Sequence, residues 1–188
     1  NVAITPSVDP STTVVGTTCS SNVAMSGGKA ECTYTINSTG AGVFEVDAST
    51  TVDFSWGAHS QSLVRATTGY AGPNGNQGAT KTYVDARVSL TPDGINKVGD
   101  THTITGHAEY NDGSGWKDAS GETITFTLAN EGGATAAFTG GANTCSTDAT
   151  GHCSVAIVST TPGVTYVDAG TSYDVLGVTL NRVSATDI

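Results

Sequence analysis

The chain has 188 residues, with seven lysines and arginines against seventeen aspartates and glutamates, a formal charge of −10. That balance argues against nucleic acid or an anionic membrane as partner, because neutralising phosphate takes clusters of basic side chains. Aromatic residues are 6% of the sequence while Thr, Ser, Gly, Ala and Val dominate it, which is the chemistry of pleated strands and glycine turns, not of helices.

In chain order, Val2, Ile4 and Val8 mark a short strand, broken by Pro6 and Pro10. Residues 30–37 alternate Cys32, Tyr34 and Ile36 against Thr33 and Thr35, the period of a half-buried strand. Gly40 and Gly42 make a turn, residues 43–54 read as one long or two short strands, and residues 61–67 close a first unit. Gly72-Pro73-Asn74-Gly75-Asn76 is turn and linker chemistry with nothing apolar to bury. The expected organisation is therefore a partial repeat over residues 1–70, a linker over 71–82 and a complete repeat over 83–188.

The second unit opens with Val84, Ala86, Val88 and Leu90 alternating against Asp85, Arg87 and Ser89, before Pro92-Asp93-Gly94 turns the chain. Residues 101–110 form the next strand, and Asn111-Asp112-Gly113-Ser114-Gly115 signals a hairpin or loop. Residues 122–128 face Ile124, Phe126 and Leu128 inward. With residues 134–138, 154–158, 164–168 and 175–183 the total reaches about seven strands, the number of an immunoglobulin-like sandwich and not of a closed barrel. Either Tyr166 or Tyr173 can supply the tyrosine that hydrogen-bonds a sandwich corner, and spacing does not choose between them.

The two units are related. Cys32, Gly42 and Asp47 each stand 121 positions before Cys153, Gly163 and Asp168, and a four-residue slip precedes the match of Arg65 to Arg182. Self-similarity at fixed spacing marks a tandem array. The second copy has some sixty residues of strand-like sequence ahead of its cysteines, whereas the first has eighteen, so the first copy begins partway through a repeat. The four cysteines form two close pairs without the short spacing of a zinc knuckle or a redox motif. Two strands joined by the turn-rich segment between Cys145 and Cys153 bring those thiols together. Disulfides Cys19–Cys32 and Cys145–Cys153 are expected, and with them an oxidising, extracellular compartment. The fold class is all-β: two tandem immunoglobulin-like sandwiches, the N-terminal one incomplete, each with a local disulfide.

Several stretches together resemble bacterial immunoglobulin-like repeats of the invasin and intimin type, as found in long actinobacterial and related surface proteins. They are Thr80-Lys81-Thr82-Tyr83-Val84-Asp85-Ala86-Arg87-Val88-Ser89-Leu90-Thr91-Pro92, Val98-Gly99-Asp100-Thr101-His102-Thr103 and Ile124-Thr125-Phe126-Thr127-Leu128. The pattern continues through Asn143-Thr144-Cys145-Ser146-Thr147-Asp148, Gly151-His152-Cys153 and Val178-Thr179-Leu180-Asn181-Arg182. The resemblance covers most of residues 79–188, and the first unit shares it only from Cys19 onward. It implies rigid extracellular stalks, adhesin shafts or surface filaments, and brings no catalytic residues with it.

Candidate sites are few. His59, His102, His107 and His152 show no metal-ligand spacing, and His102 and His107 differ in parity, so they are expected scattered on opposite faces. No Gly-x-Ser-x-Gly elbow is present, and no enzymatic activity is expected. No cofactor is expected; calcium is the one cation such loops suit, with Asp47, Asp85, Asp112 and Asp168 as candidates, though no stretch matches a twelve-residue calcium loop and turn aspartates bonded to their own backbone are the favoured reading. Asn37-Ser38-Thr39 has the form of a glycosylation sequon, read here as a polar turn. Trp56 and Trp116 are expected to pack at domain edges.

The functional expectation is an extracellular structural or adhesive protein, a segment of a surface stalk or filament, assembled head-to-tail if a neighbour supplies the missing strands. Its partners would be neighbouring repeats of the same polypeptide, further copies of itself, or a surface ligand, with no membrane insertion in this segment. The alternatives are an adhesin tip or carbohydrate-binding module, or an immunoglobulin-like domain of a phage virion.

Overall fold

The computed structural model describes residues 2–68 and 77–184. Two compact units divide between Tyr83 and Val84, and each is described by itself. Among the described residues the protein is all-β apart from a single 3-10 turn at Thr139–Gly141.

The first unit contains β1 (Ala3–Asp9), β2 (Thr13–Thr17), β3 (Met25–Ser26), β4 (Lys29–Ala30), β5 (Tyr34–Asn37), β6 (Gly42–Trp56), β7 (His59–Ala66) and β8 (Ala79–Tyr83). The long β6 is the spine. It pairs antiparallel with β1 on one edge, and with β7 and then β8 on the other. A separate ribbon joins β2 to β5. The predicted alternation holds in β5, where Tyr34 and Ile36 turn inward and Thr35 and Asn37 outward.

Pro6 does not break β1. Ala48, opposite Pro6 on β6, directs its N–H and its C=O to Thr67 on the far edge. The Pro6 nitrogen therefore faces away from β6, where a missing donor costs no ladder bond. The expected linker also needs correction. Residues 79–82 belong with Tyr83 to β8, held on β6 with Gly42 opposite Tyr83 and Val46 opposite Ala79. The Gly-Pro-Asn-Gly-Asn stretch and the expected boundary at residue 70 lie outside the described residues.

The second unit contains β9 (Asp85–Thr91), β10 (Thr101–Asn111), β11 (Trp116–Asp118), β12 (Thr123–Glu131), β13 (Ala137–Phe138), β14 (Thr144–Ser146), β15 (His152–Val158), β16 (Val164–Val175) and β17 (Val178–Val183). One sheet carries β9, β10, β11, β13 and β15 around the central pair β10–β15, and the other runs β14-β12-β16-β17. The chain changes sheet after each of β11, β12, β13, β14 and β15, the crossed connectivity of an immunoglobulin-like sandwich.

The inward residues of the two sheets form one continuous core. Ala86, Val88, Ile104, Ala108, Val155 and Ile157 come from the first sheet, and Ile124, Phe126, Ala169, Tyr173 and Val175 from the second. Gly106 lets the sheets approach, because a Cβ there would lie 2.8 Å from Ile124 Cδ1 and 3.2 Å from the Phe126 ring. Residues 175–183 were expected to form one strand. They are instead the end of β16 and a hairpin turn, Leu176 and Gly177 having φ of 52° and 79°, followed by β17. Asp174 Oδ1 accepts the Gly177 N–H at 2.9 Å and fixes that turn.

Both disulfides are present. Cys145 lies in β14 and Cys153 in β15, with Cα atoms 5.8 Å apart, so the bond staples one sheet to the other. Cys19 and Cys32 have Cα atoms 4.9 Å apart. Cys19 sits between Thr18, whose N–H donates to Thr33, and Ser20, whose carbonyl accepts from Ile4. That bond pins the corner where the β2–β5 ribbon meets the sheet of β1.

Candidate functional site

The repeat can be followed strand by strand, and the site emerges from what one copy lacks. By sequence, β5, β6 and β7 correspond to β15, β16 and β17. The pairings extend the match: β1 lies on β6 as β12 lies on β16. The ribbon pairs Thr13 with Asn37 and Val14 with Ile36, repeating Ala137 with Val158 and Phe138 with Ile157. Among the described residues no strand of the first unit corresponds to β9, β10 or β11.

The consequence falls on β5. In the second unit β15 is bonded on one side to β13 and on the other to β10, through seven register pairs from Thr101–Val158 to His107–His152. Among the described residues β5 pairs with β2 alone. Its other edge has no strand on it among those residues, and the Tyr83 hydroxyl donates there to the Ile36 carbonyl at 2.8 Å. The β2 side chains are exposed along their whole length, Val15 at 58%. Among the described residues of this unit the buried hydrophobics are Val2, Val23 and Phe44. Backbone groups on an open edge are a template for pairing with another strand.

The tyrosine question resolves to Tyr173. It is 2% exposed, and its hydroxyl donates to the Arg87 carbonyl at 2.6 Å, tying β16 to β9. Burial, with the charge of Glu122 behind it, pushes its pKa up to about 12. Tyr166 is on the surface.

The calcium candidates of the second unit, Asp85, Asp112 and Asp168, are not brought together, and Asp47, Asp85 and Asp112 each have protein partners. Asp47, in the first unit, accepts hydroxyl bonds from Thr68 and Thr67, which hold its carboxyl below the ordinary range. Asp85 pairs with Arg182 at 2.6 Å. Burial works to raise the Asp85 pKa, but the Arg182 and Ala86 N–H donors and the Arg182 charge together bring it below its usual value. Asp112 is held well below the carboxylate range by Lys117 at 2.6 Å and then by Ser114, whose backbone N–H it accepts in a turn. Asp168 lines a groove beside β16.

The histidines depart from expectation. His107 and His152 are register partners, and their rings stack at 4.0 Å between centroids and 6° between planes. Parity within one strand could not show this; the β10–β15 register does. His107, Glu109 and Asp118 place ligand atoms within 4.8 Å of one another. Arg87 already occupies Glu109 with bonds of 2.6 and 2.9 Å, and these draw the Glu109 pKa down. His107 Nε2 and Asp118 Oδ1 are 2.9 Å apart. The group is a hydrogen-bonded ion network, in which a cation at Glu109 would have to displace a guanidinium.

The tryptophans are not packed. Trp56 is 57% exposed at the β6–β7 hairpin, with the His59 ring against it, and Trp116 is 42% exposed with the Arg87 guanidinium 4.2 Å above its ring. Both stand at strand ends, Trp56 closing β6 and Trp116 opening β11. Asn37 is exposed at the end of β5, and its side-chain oxygen accepts the Ser38 N–H.

No protein-family model matches the chain, and no curated protein matches it. Among solved structures, the D0-D1 domain of Intimin is similar at 22% identity, over 96% of this chain and 77% of that chain, with a TM-score of 0.33. A similarity of that size carries no weight for function. No helix among the described residues is long and apolar enough to cross a membrane.

Proposed function

We propose that the chain is a segment of an extracellular surface stalk or filament built from immunoglobulin-like repeats, structural and adhesive in role and without catalytic activity. The observation that carries this reading is the edge of β5 on which no described strand lies. Among the described residues the first unit shows the strand set of the second without β9–β11, and a neighbouring repeat offers strands of that class. Strand addition is a known route to joining units, with ladder bonds giving affinity and alternate side chains giving specificity. A contact of this kind is heterologous and builds open arrays. The two disulfides fit an oxidising compartment.

Immunogold labelling of intact source cells, with antibody against the second unit, tests the reading. Label on extended surface structures is expected, and label confined to the cell interior would overturn it. A second reading, a binding module for sugars or a host surface, draws on the exposed Trp56 and Trp116, although these stand in different units. A glycan array probed with the full chain would separate the two, since the stalk reading expects no hits.

A further inference from the structure

The first unit shows what its spine strand takes as a neighbour. Residues 42–46 of β6 are covered by β8, with Tyr83 opposite Gly42 and its ring edge-on to Phe44 at 5.6 Å and 83°. The corresponding stretch is Gly163 and the first four residues of β16, to Val167. On that side β17 pairs with β16 only from Gly170 to Val175, and Ser184 then takes both the N–H and the C=O of Ala169. Beyond Ala169 no described strand lies on that edge of β16. Because residues alternate along a strand, Val167 and Thr165 direct their backbone groups the same way as Ala169.

Beside this edge lies a groove of about 730 Å³, wholly within the second unit. Its apolar lining includes Leu90, Ile157 and Val167. Thr165 stands where the first unit has Phe44, so the floor is lower at the place a tyrosine ring would enter. Asp93, Asp100 and Asp168 line the groove against a single Lys97, whereas β8 carries Lys81 and no acid. Val164 and Tyr166, on the outer face of the same stretch, are 53% and 38% exposed.

We propose that this groove and the 163–167 edge of β16 form an acceptor for a second strand of the β8 type, an extended Ala-Thr-Lys-Thr-Tyr segment that leads into another repeat. The strand pairs antiparallel with β16, and its tyrosine lies over Thr165. Since β8 immediately precedes β9 in the chain, the same short sequence that opens one repeat closes the repeat before it. The proposal deepens the stalk reading and rests on it for the source of the strand, but its physical content is binding of one defined sequence at one edge.

The test adds a peptide of residues 78–87, capped at both ends, to the full chain and follows amide hydrogen exchange by residue-resolved NMR. Exchange at Thr165 and Val167 should slow roughly tenfold at a peptide concentration about ten times Kd, because only the unbound fraction exchanges. A peptide with Tyr83→Ala should bind more weakly, and a scrambled peptide should leave both amides unchanged. The proposal is overturned by unchanged exchange at both amides up to millimolar peptide, by protection confined to residues 42–46, or by equal binding of the scrambled sequence. Surface labelling is a separate readout: peptide binding without surface label would sink the stalk reading and leave the acceptor standing, and the converse would do the reverse.

Discussion

The two units share a repeat but not a core. In the second, two sheets bury twelve residues in one cluster, with Ala108, Ile124 and Phe126 wholly inaccessible. In the first, the buried hydrophobics among the described residues are Phe44 on the spine and the bridged pair Val2 and Val23, and a two-stranded ribbon stands where the second unit has a whole sheet. What separates them is the set of strands β9–β11. A sandwich needs both layers before either gains from burial, so removing one sheet's centre takes away most of the hydrophobic stabilisation and leaves hydrogen bonds to hold the remainder.

That contrast is open to direct attack, since each unit has its own tryptophan to report denaturant unfolding. The largest effect should come from Phe126→Ala, which opens a cavity in a closed core and should cost the second unit about 3–5 kcal/mol. Phe44→Ala, in a site whose walls can collapse, should cost the first unit less than about 3 kcal/mol, the lower end for such a change. Equal losses would mean that the first unit has a core of its own. Next comes the inter-sheet staple. Replacing Cys145 and Cys153 with serine should cost about 2–3 kcal/mol, the chain-entropy value for so short a loop.

Tyr173→Phe should follow at about 1–3 kcal/mol, because the Arg87 carbonyl loses its buried donor. It also carries a pH signature. An unfolded tyrosine ionises near pH 10, whereas burial, then the Glu122 charge, holds the folded hydroxyl to about 12. Stability from this group is whole below pH 10 and is lost as pH rises from 10 towards 12. The alkaline loss should shrink in the phenylalanine variant, and the first unit, with Val52 at the matching position, should lack this contribution.

The smallest effect is expected at Asp85→Asn. The Asp85–Arg182 pair is more than a third exposed on each side, so solvent screening limits the loss to at most about 1 kcal/mol. Because the folded carboxyl titrates below its model value of 3.8, its contribution is present above that pH and disappears as pH falls through the lower folded value. A wild-type chain with no acid-dependent advantage over the asparagine variant would remove this link between β9 and β17.

Much of the contrast was legible in residue order. Strict alternation in residues 83–90 and 122–128 announces half-buried strands, and paired cysteines in matching places announce the clips. The incomplete first unit follows from counting strand-like sequence ahead of each pair. What stayed hidden depends on register. Pro6 sits inside a strand because of which way its opposite residue faces, and sequence does not report that. The Leu176–Gly177 turn carries a leucine at positive φ where Asn or Asp is the usual signal, so it reads as strand. The stacking of His107 on His152 and the choice of Tyr173 over Tyr166 both require knowing which strands are neighbours. The end of the expected linker was missed for the same reason: Thr-Lys-Thr-Tyr is polar enough to pass for a tether until β6 is seen beside it.

The central claim is that β5 lacks a strand that the repeat requires, and amide hydrogen exchange at Tyr34 and Ile36 tests it most directly. These residues correspond to Val155 and Ile157, which face β10. In the dilute isolated chain they should exchange orders of magnitude faster than Val155 and Ile157, and they should gain protection in the native assembly. If Tyr34 and Ile36 are as protected as Val155 and Ile157 in the dilute monomer, the edge is already covered and the claim is wrong.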